Sequence, residues 1–375
     1  MRRYRILEFA SFAGIGGTQT MLLEFLRQVS PSKFQFSVCV LLEHGYLNTE
    51  VAKLGIEQTS LNMRGYWDLA AWRKLYAYAK SRKFDLIRTY GLKAHIIGRI
   101  VGRLIGIPVN ITSVRNTDPW RKWYHALLDY GTSPLTDLYI SNSEAGRIAT
   151  HQREHIPLSK IITIPNGIDL NDYAPYHADM PRLADAVKQE FGIATNAPVI
   201  GIIANLRRQK GHITIIDALP RILAEVSEVV CVCVGDDLMD GEIQRYAQSK
   251  GMRGHIVFTG FRPDIPRLLT MFDIFLLPSL YEGIPRALLE AMAMKKPTIT
   301  TAAGGMPEVV VDGSTGVIIP SNDPPALAEA VITLLTNPDR TRAMEQASYE
   351  RIRAHFSLKA VVAQTVAAYE RLING

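Results

Sequence analysis

The sequence predicts an α/β protein built from two Rossmann-like, doubly wound domains facing a central cleft, with a C-terminal helix crossing back to the first domain. Three observations lead there. Short apolar runs of strand length alternate with helical stretches along the 375 residues. The alternation occurs twice, on either side of a segment at 170–196 rich in Asp, Pro, Ala and Asn. Runs such as 272–278, interrupted only by Asp273, are apolar throughout, as strands buried on both faces of a parallel sheet require. The expected division is a first domain over 1–170, a linker at 171–196, a second domain over 197–352 and a terminal helix over 353–375.

Residues 5–12 read as the first strand, followed by the turn Gly14-Ile15-Gly16-Gly17 and a helix over 18–29, a unit that opens many nucleotide-handling domains. The glycines lack the spacing of the dinucleotide fingerprint, so the turn reads equally as a tight connection without a ligand. Strands at 36–42, 57–61, 85–89, 109–114, 138–141 and 161–165 then alternate with helices near 46–54, 68–82, 93–105, 121–132 and 143–151. In the fourth of these helical stretches' predecessor, 93–105, Ile96, Ile97, Ile100, Val101, Leu104 and Ile105 are apolar, with Arg99 and Arg103 assigned to the opposite face. Beyond it, Pro119-Trp120-Arg121-Lys122-Trp123-Tyr124 mixes aromatic and basic residues, as does a segment resting at a membrane interface; the alternative is a core-packing helix with solvated charges. Asn166-Gly167-Ile168-Asp169 is a turn signature.

The second domain repeats the rhythm. Strands are expected near 198–204, 229–234, 256–260, 273–277, 297–301 and 315–319, and helices near 211–226, 240–250, 264–271, 285–294 and 324–336. The chain ends in a helical stretch over 338–374 with no further strand.

Composition narrows the class. An apolar fraction of 47% and a charged fraction of 21% describe an ordinary globular protein. A net charge of +6 suits an anionic partner, whether nucleotide diphosphate or anionic lipid, while the dispersal of the basic residues argues against nucleic acid. Cys39, Cys231 and Cys233 all lie in apolar runs and read as core residues of a protein in a reducing compartment. The N-terminus makes a poor signal peptide, and no apolar run approaches the ~20 residues that span a bilayer.

The chemistry concentrates after two strands. Tyr281-Glu282-Gly283 breaks the strand over 273–277, and Pro285 suits the first turn of the helix that follows, so a helix N-terminus with unpaired N–H groups stands just past the end of a parallel strand. Anions bind at such places. Glu282 and Glu290 flank that helix start, and carboxylates beside an anion site need another task, such as accepting hydrogen bonds from sugar or ribose hydroxyls. After the first strand of this domain comes Ala204-Asn205-Leu206-Arg207-Arg208-Gln209-Lys210-Gly211-His212, whose cations suit a diphosphate; a solvated basic loop is the alternative for any one of them. No nucleophile triad, acid/base dyad or metal-ligand spacing is visible.

Together, Asn166-Gly167-Ile168-Asp169, the loop at 206–211, Phe258-Thr259-Gly260-Phe261, the stretch 279–290, Gly304-Gly305-Met306-Pro307-Glu308 and Asp312-Gly313 with Thr315-Gly316 resemble the motifs of glycosyltransferase family 4, retaining enzymes of the GT-B fold. The resemblance is strong over 160–335 and looser before that. It implies that Lys210 and Arg207 bind the donor diphosphate, that Glu282 holds hydroxyls of the transferred sugar, and that these three carry catalysis. Donor binding would also involve Glu290 on the ribose, Asn205, Phe261, the backbone of Gly283, Ile284, Pro285 and Arg286, and Gly16 and Gly17 approaching from the first domain. Two departures stand out. Many members have Gly-Arg-Leu where Ala204-Asn205-Leu206 stands, which makes Arg207 the substitute for the usual arginine. Members also often carry a histidine after the strand at 109–114, where this chain has Arg115 and Asn116; these two, with His95, are the acceptor-side candidates.

The resemblance further implies a nucleotide sugar as co-substrate, a UDP-sugar in preference to a GDP-sugar, with no cofactor and no metal. The acceptor would be a glycan or a lipid-linked molecule in cell-surface polysaccharide or glycolipid synthesis, with the protein cytoplasmic. The basic surface of the first domain adds the expectation that this synthesis takes place at the cytoplasmic membrane face, with the protein resting on an anionic membrane surface at the inner face of the plasma membrane. The rival readings are a sugar-nucleotide epimerase of the same fold and a non-catalytic nucleotide-sugar-binding subunit. A dinucleotide-dependent oxidoreductase fits the first-domain glycines poorly.

Overall fold

The computed structural model describes residues 3–116 and 123–375 and divides into two compact units, one comprising the chain up to Asn166 together with Leu358–Gly375, the other Gly167–Ser357. In the first unit β1 (Tyr4–Ala10), β2 (Phe34–Val40), β3 (Glu57–Ser60), β4 (Leu86–Tyr90), β5 (Val109–Val114), β6 (Leu138–Ser141) and β7 (Ile161–Thr163) form one sheet. All neighbours are parallel, in the order β3-β2-β1-β4-β5-β6-β7. The order reverses between β1 and β4, the switch point at whose C-terminal edge open α/β sheets bind ligands.

Helices cover both faces of this sheet. Met21, Leu22 and Phe25 of the helix Gly17–Gln28 share one core with Leu358, Val362 and Tyr369 of the last helix, Leu358–Asn374; Leu75, Ala94, Ile97 and Val101 fill the other. The expected helical tail over 338–374 is two helices, Pro338–His355 and Leu358–Asn374. They are broken because Ile168 donates its N–H to the Phe356 carbonyl at 2.8 Å and bridges Ser357 as a strand would, which demands extended backbone there. The last helix therefore starts at Leu358 and not at 353.

One side of the helix Leu92–Ile105 departs from expectation. Arg99, assigned to a solvated face, is buried and forms an ion pair with buried Asp129, its Nε also donating to Thr112 Oγ1 at 3.2 Å. Arg103 remains exposed and pairs with Asp137 at 2.5 Å. Apolar spacing alone could not separate the two, since a buried arginine is defined by a partner that lies 30 residues away in sequence.

In the second unit β8 (Val199–Ile203), β9 (Val230–Val234), β10 (Ile256–Gly260), β11 (Ile274–Leu277), β12 (Thr298–Thr301) and β13 (Val317–Ile319) form a parallel sheet in the order β10-β9-β8-β11-β12-β13, reversing between β8 and β11. The segment 171–196, expected as a linker, folds into this unit. Tyr173 and Val187 are buried in its core, and Lys188 is anchored by the carbonyls of Thr195 and Ala197 at 3.0 and 2.9 Å. Its polar composition reads as a linker because the helix Met180–Glu190 buries only Val187 and Lys188, so few of its residues need be apolar. Cys39, Cys231 and Cys233 are buried free thiols that form no disulfide, as core residues.

Candidate active site

The two constellations expected from the sequence lie on adjacent strands at the β8/β11 reversal. β8 leads into 204–210, and β11 leads through 278–285 into the helix Arg286–Ala293. Backbone bonds fasten one loop to the other: the Leu280 N–H donates to Gln209 O at 2.8 Å. Two glycines permit the approach. Gly211 (φ +80°) sits so close to the Pro278 carbonyl that no Cβ would fit, and Gly304 (φ +56°) lies equally close to the Glu282 carbonyl. Gly305 then donates its N–H to Gly283 O at 3.1 Å, and Thr301 Oγ1 to Ser279 O at 2.5 Å, clamping the turn from the β12 side.

On this frame Lys210 Nζ forms a charge-assisted hydrogen bond and ion pair with Glu282 Oε1. Glu282 is buried, whereas Lys210 keeps partial exposure. Thus the cation and the carboxylate that sequence assigned to phosphate and sugar are brought together, 72 residues apart in the chain. Glu290, one turn into the helix, accepts from Arg286 Nε at 2.8 Å and from Tyr173 Oη at 3.2 Å. Both bonds go to Oε1, which leaves Oε2 as a further acceptor on a carboxylate held in a fixed rotamer. Pro285, expected within the first helical turn, is the N-cap with extended backbone, and the helix begins at Arg286.

Of the remaining donor-side residues, Arg207 is exposed, whereas Arg208 is tied to Glu242 at 2.6 Å. Asn205 uses its Oδ1 to accept the Asp236 N–H at 3.1 Å, so its side chain braces the loop. Gly283 and Ile284 are buried in the turn, and Phe261 is 39% exposed just past the end of β10. Behind Lys210, His212 opens the helix His212–Glu225 and is buried, with no well-formed hydrogen bond at either ring nitrogen. Burial, and then the charge of Lys210, push its pKa down to about 4, with the backbone of Arg207 and Ala204 offsetting part of this.

The first-unit candidates sit at strand ends or beneath them. Gly16 caps and Gly17 begins the helix after β1. Arg115, just past β5, donates from Nη1 to Asn166 Oδ1 at 2.9 Å and lies over the Tyr90 ring; burial, and then Arg88, lower its pKa to about 10. Asn116 follows it, half-buried. His95 lies in the first turn of the helix after β4 and is buried, with Nδ1 2.9 Å from Oγ1 of Thr89 near the C-terminal end of that strand. Sequence reasoning gave no role to Tyr173 or His212. No spacing rule ties 173 to 290, and a histidine after Lys-Gly reads like any other helix start. Among the described residues no three His, Cys, Asp or Glu side chains gather as metal ligands.

Comparison with known proteins gives the family and the fold. The family described as "Glycosyltransferase Family 4" matches residues 15–172, and that described as "Glycosyl transferases group 1" matches 184–351. An Escherichia coli UDP-Gal:alpha-D-GlcNAc-diphosphoundecaprenol alpha-1,3-galactosyltransferase is 27% identical over 85% of this chain and 84% of its own. An N-acetyl-alpha-D-glucosaminyl L-malate synthase of Bacillus anthracis is 27% identical over 86% of this chain and 84% of its own. The crystal structure of Anabaena HepE in complex with UDP and glucose superposes with a TM-score of 0.87 at 21% identity, over 98% of this chain and all of that one. With two parallel-sheet Rossmann-like units of the GT-B type and a match to family sequence over both, the chain belongs to glycosyltransferase family 4 and transfers sugar from a nucleotide-sugar donor.

Proposed function

We propose that the protein is a retaining hexosyltransferase that moves a sugar from a UDP-linked donor to a glycan or lipid-linked acceptor, without a resident metal, in the synthesis of a surface polysaccharide or glycolipid. The observation that carries the reading is the convergence of Lys210, Glu282 and the Arg286 helix start at one strand reversal. Lys210, Arg207 and that helix start would meet the diphosphate and stabilise its charge as it leaves. Glu290 would hold ribose hydroxyls and Glu282 hydroxyls of the transferred sugar. As the bond from C1 to the phosphate oxygen breaks, the acceptor hydroxyl would bond to C1 on the same face and pass its proton to the departing phosphate. Arg115 and Asn116 of the first unit would serve the acceptor. UDP as the nucleotide is supported by the E. coli relative's UDP-Gal and by the UDP held by HepE.

The test is purified protein incubated with a panel of nucleotide sugars, read by thermal stabilisation and product mass. A UDP-hexose is expected to stabilise the protein and to be slowly hydrolysed, undiminished by EDTA. Loss of turnover with EDTA would overturn metal independence, and conversion of donor to an epimer would overturn transfer.

We extend the proposal to a peripheral membrane contact. No helix among the described residues is long and apolar enough to cross a membrane. The helix Trp123–Thr132 nevertheless buries only Asp129 and turns Trp123, Tyr124, Leu127, Leu128 and Tyr130 outward, which does not fit a core-packing helix. Trp120, Arg121 and Lys122 of the same sequence motif lie outside the described residues. Co-sedimentation with phosphatidylglycerol vesicles is expected to fall in Trp123→Ser/Leu127→Ser; equal partitioning would count against the contact.

A further inference from the structure

A feature of the first unit has no part in the site above. After the edge strand β3, residues 61–74 enclose an open groove of about 670 Å³ lined by Asn62, Arg64, Trp67, Asp68 and Lys74 among others. Trp67 is 93% exposed at its rim, an unusual exposure for the largest apolar side chain. The loop that presents it is fixed from beneath: Trp72 Nε1 donates to Tyr66 O at 2.9 Å, and Asp68 caps the helix Leu69–Arg82.

The charges of the groove are not balanced. Asp68 is its acid, and both carboxylate oxygens are already engaged by backbone N–H groups, Oδ1 by Ala71 and Oδ2 by Arg64, each at 3.1 Å. These bonds hold its carboxyl below the usual range. Lys74 Nζ gives one proton to Ser60 O at 2.6 Å and keeps two more for a ligand. Arg64 adds a planar fork of donors suited to carboxylate or phosphate oxygens. An indole face that can cover the C–H side of a sugar ring, beside two cations, fits an acidic saccharide better than an apolar partner.

Position agrees. The groove opens beyond the C-terminal end of β3, on the edge of the sheet where β1 carries the Gly14–Gly17 turn. Two strand spacings, about 10 Å, separate β3 from β1 and the β1/β4 switch point. We infer that this groove is a subsite for an acidic saccharide, the part of the acceptor glycan lying beyond the sugar that receives the transfer. This rests on the glycosyltransferase reading and adds the acceptor's chemical class to it.

Calorimetric titration of the full-length protein with tetragalacturonate and with neutral maltotetraose tests it. Tetragalacturonate is expected to bind, with maltotetraose about tenfold weaker or worse. Trp67→Ala and Arg64→Gln/Lys74→Gln are each expected to weaken tetragalacturonate by about tenfold, with far-UV circular dichroism as the control for folding. Equal binding of both sugars, binding of neither, unaltered binding by the variants, or a loss in the variants confined to phosphatidylglycerol vesicles would each overturn the inference. Donor hydrolysis by the unaltered protein is measured alongside. A protein that hydrolyses a UDP-sugar but takes no tetragalacturonate keeps the transferase reading and loses this one.

Discussion

Each unit buries a carboxylate among cations, yet the two clusters differ in where they stand on the sheet. In the first unit Glu8 of β1 and Arg88 of β4 face each other in register and are enclosed. Tyr369 Oη donates to Glu8 at 2.8 Å, while Arg88 donates from Nη1 to Tyr369 Oη at 3.0 Å and from Nε to Ser113 Oγ at 2.7 Å. Burial pushes the Glu8 carboxyl up, against the pull of Arg88. In the second unit Lys210, Glu282, Arg286 and Glu290 stand on loops and a helix start beyond the strand ends, with Lys210 still partly open to solvent. The lesson is that burial of charge does not by itself mark a site. A cluster in the strand interior, with partners from the last helix, holds the unit together; one past the switch-point strands can reach a ligand.

That contrast can be broken by mutation. The largest effect is expected for Lys210→Ala, which should lower kcat/KM for sugar transfer by roughly 10²–10³-fold or more, with a lower unfolding midpoint because buried Glu282 loses its cation, but with the far-UV circular dichroism of a folded protein. Glu290→Ala should likewise abolish transfer; normal turnover by either purified variant sinks the site assignment. Next comes His212. Its folded pKa of about 4 lies below the ordinary 6.5, so the fold favours the neutral ring, and the stability this gives is present above pH 6.5 and lost as pH falls towards 4. The loss amounts to about 3 kcal/mol. Urea unfolding at pH 7, 5 and 4 should show it in the wild type and not in His212→Leu.

Tyr369→Phe probes the other cluster. It should destabilise the protein by about 1–3 kcal/mol through unpaired Glu8 and Arg88, with donor hydrolysis intact. A catalytic defect at unchanged stability would invert the comparison. Because the folded pKa of Glu8 is raised, its burial favours the protonated form, a contribution present below the ordinary carboxylate pKa and lost as pH rises through the folded value. Glu8→Gln should remove that part of the pH dependence in the same unfolding series. The smallest expected effect belongs to Tyr173→Phe, which takes one hydrogen bond from Glu290 and should raise the donor KM about fivefold with little change in kcat. An unchanged KM would remove Tyr173 from the site.

Much of the site was legible from residue order because its parts are local. Pro285 next to Arg286, Gly211 after Lys210 and Gly304 before Gly305 each announce a turn, and each sits where a helix start meets a strand end. What was misread depended on partners distant in sequence. Arg99 belongs inside only because Asp129 is there, and the tail is two helices only because Ile168 pairs with the backbone at Phe356 and Ser357.

By itself the sequence determined the alternation of strands and helices, the doubling of the motif and the chemical types at 204–212 and 279–290. These follow from hydrophobic period and backbone freedom, which neighbouring residues set. Tertiary structure alone decided that β8 and β11 are adjacent, that Lys210 therefore pairs with Glu282, and that a tyrosine from the supposed linker reaches Glu290. Strand order and long-range pairing are fixed by which faces bury together, and no local pattern carries that information.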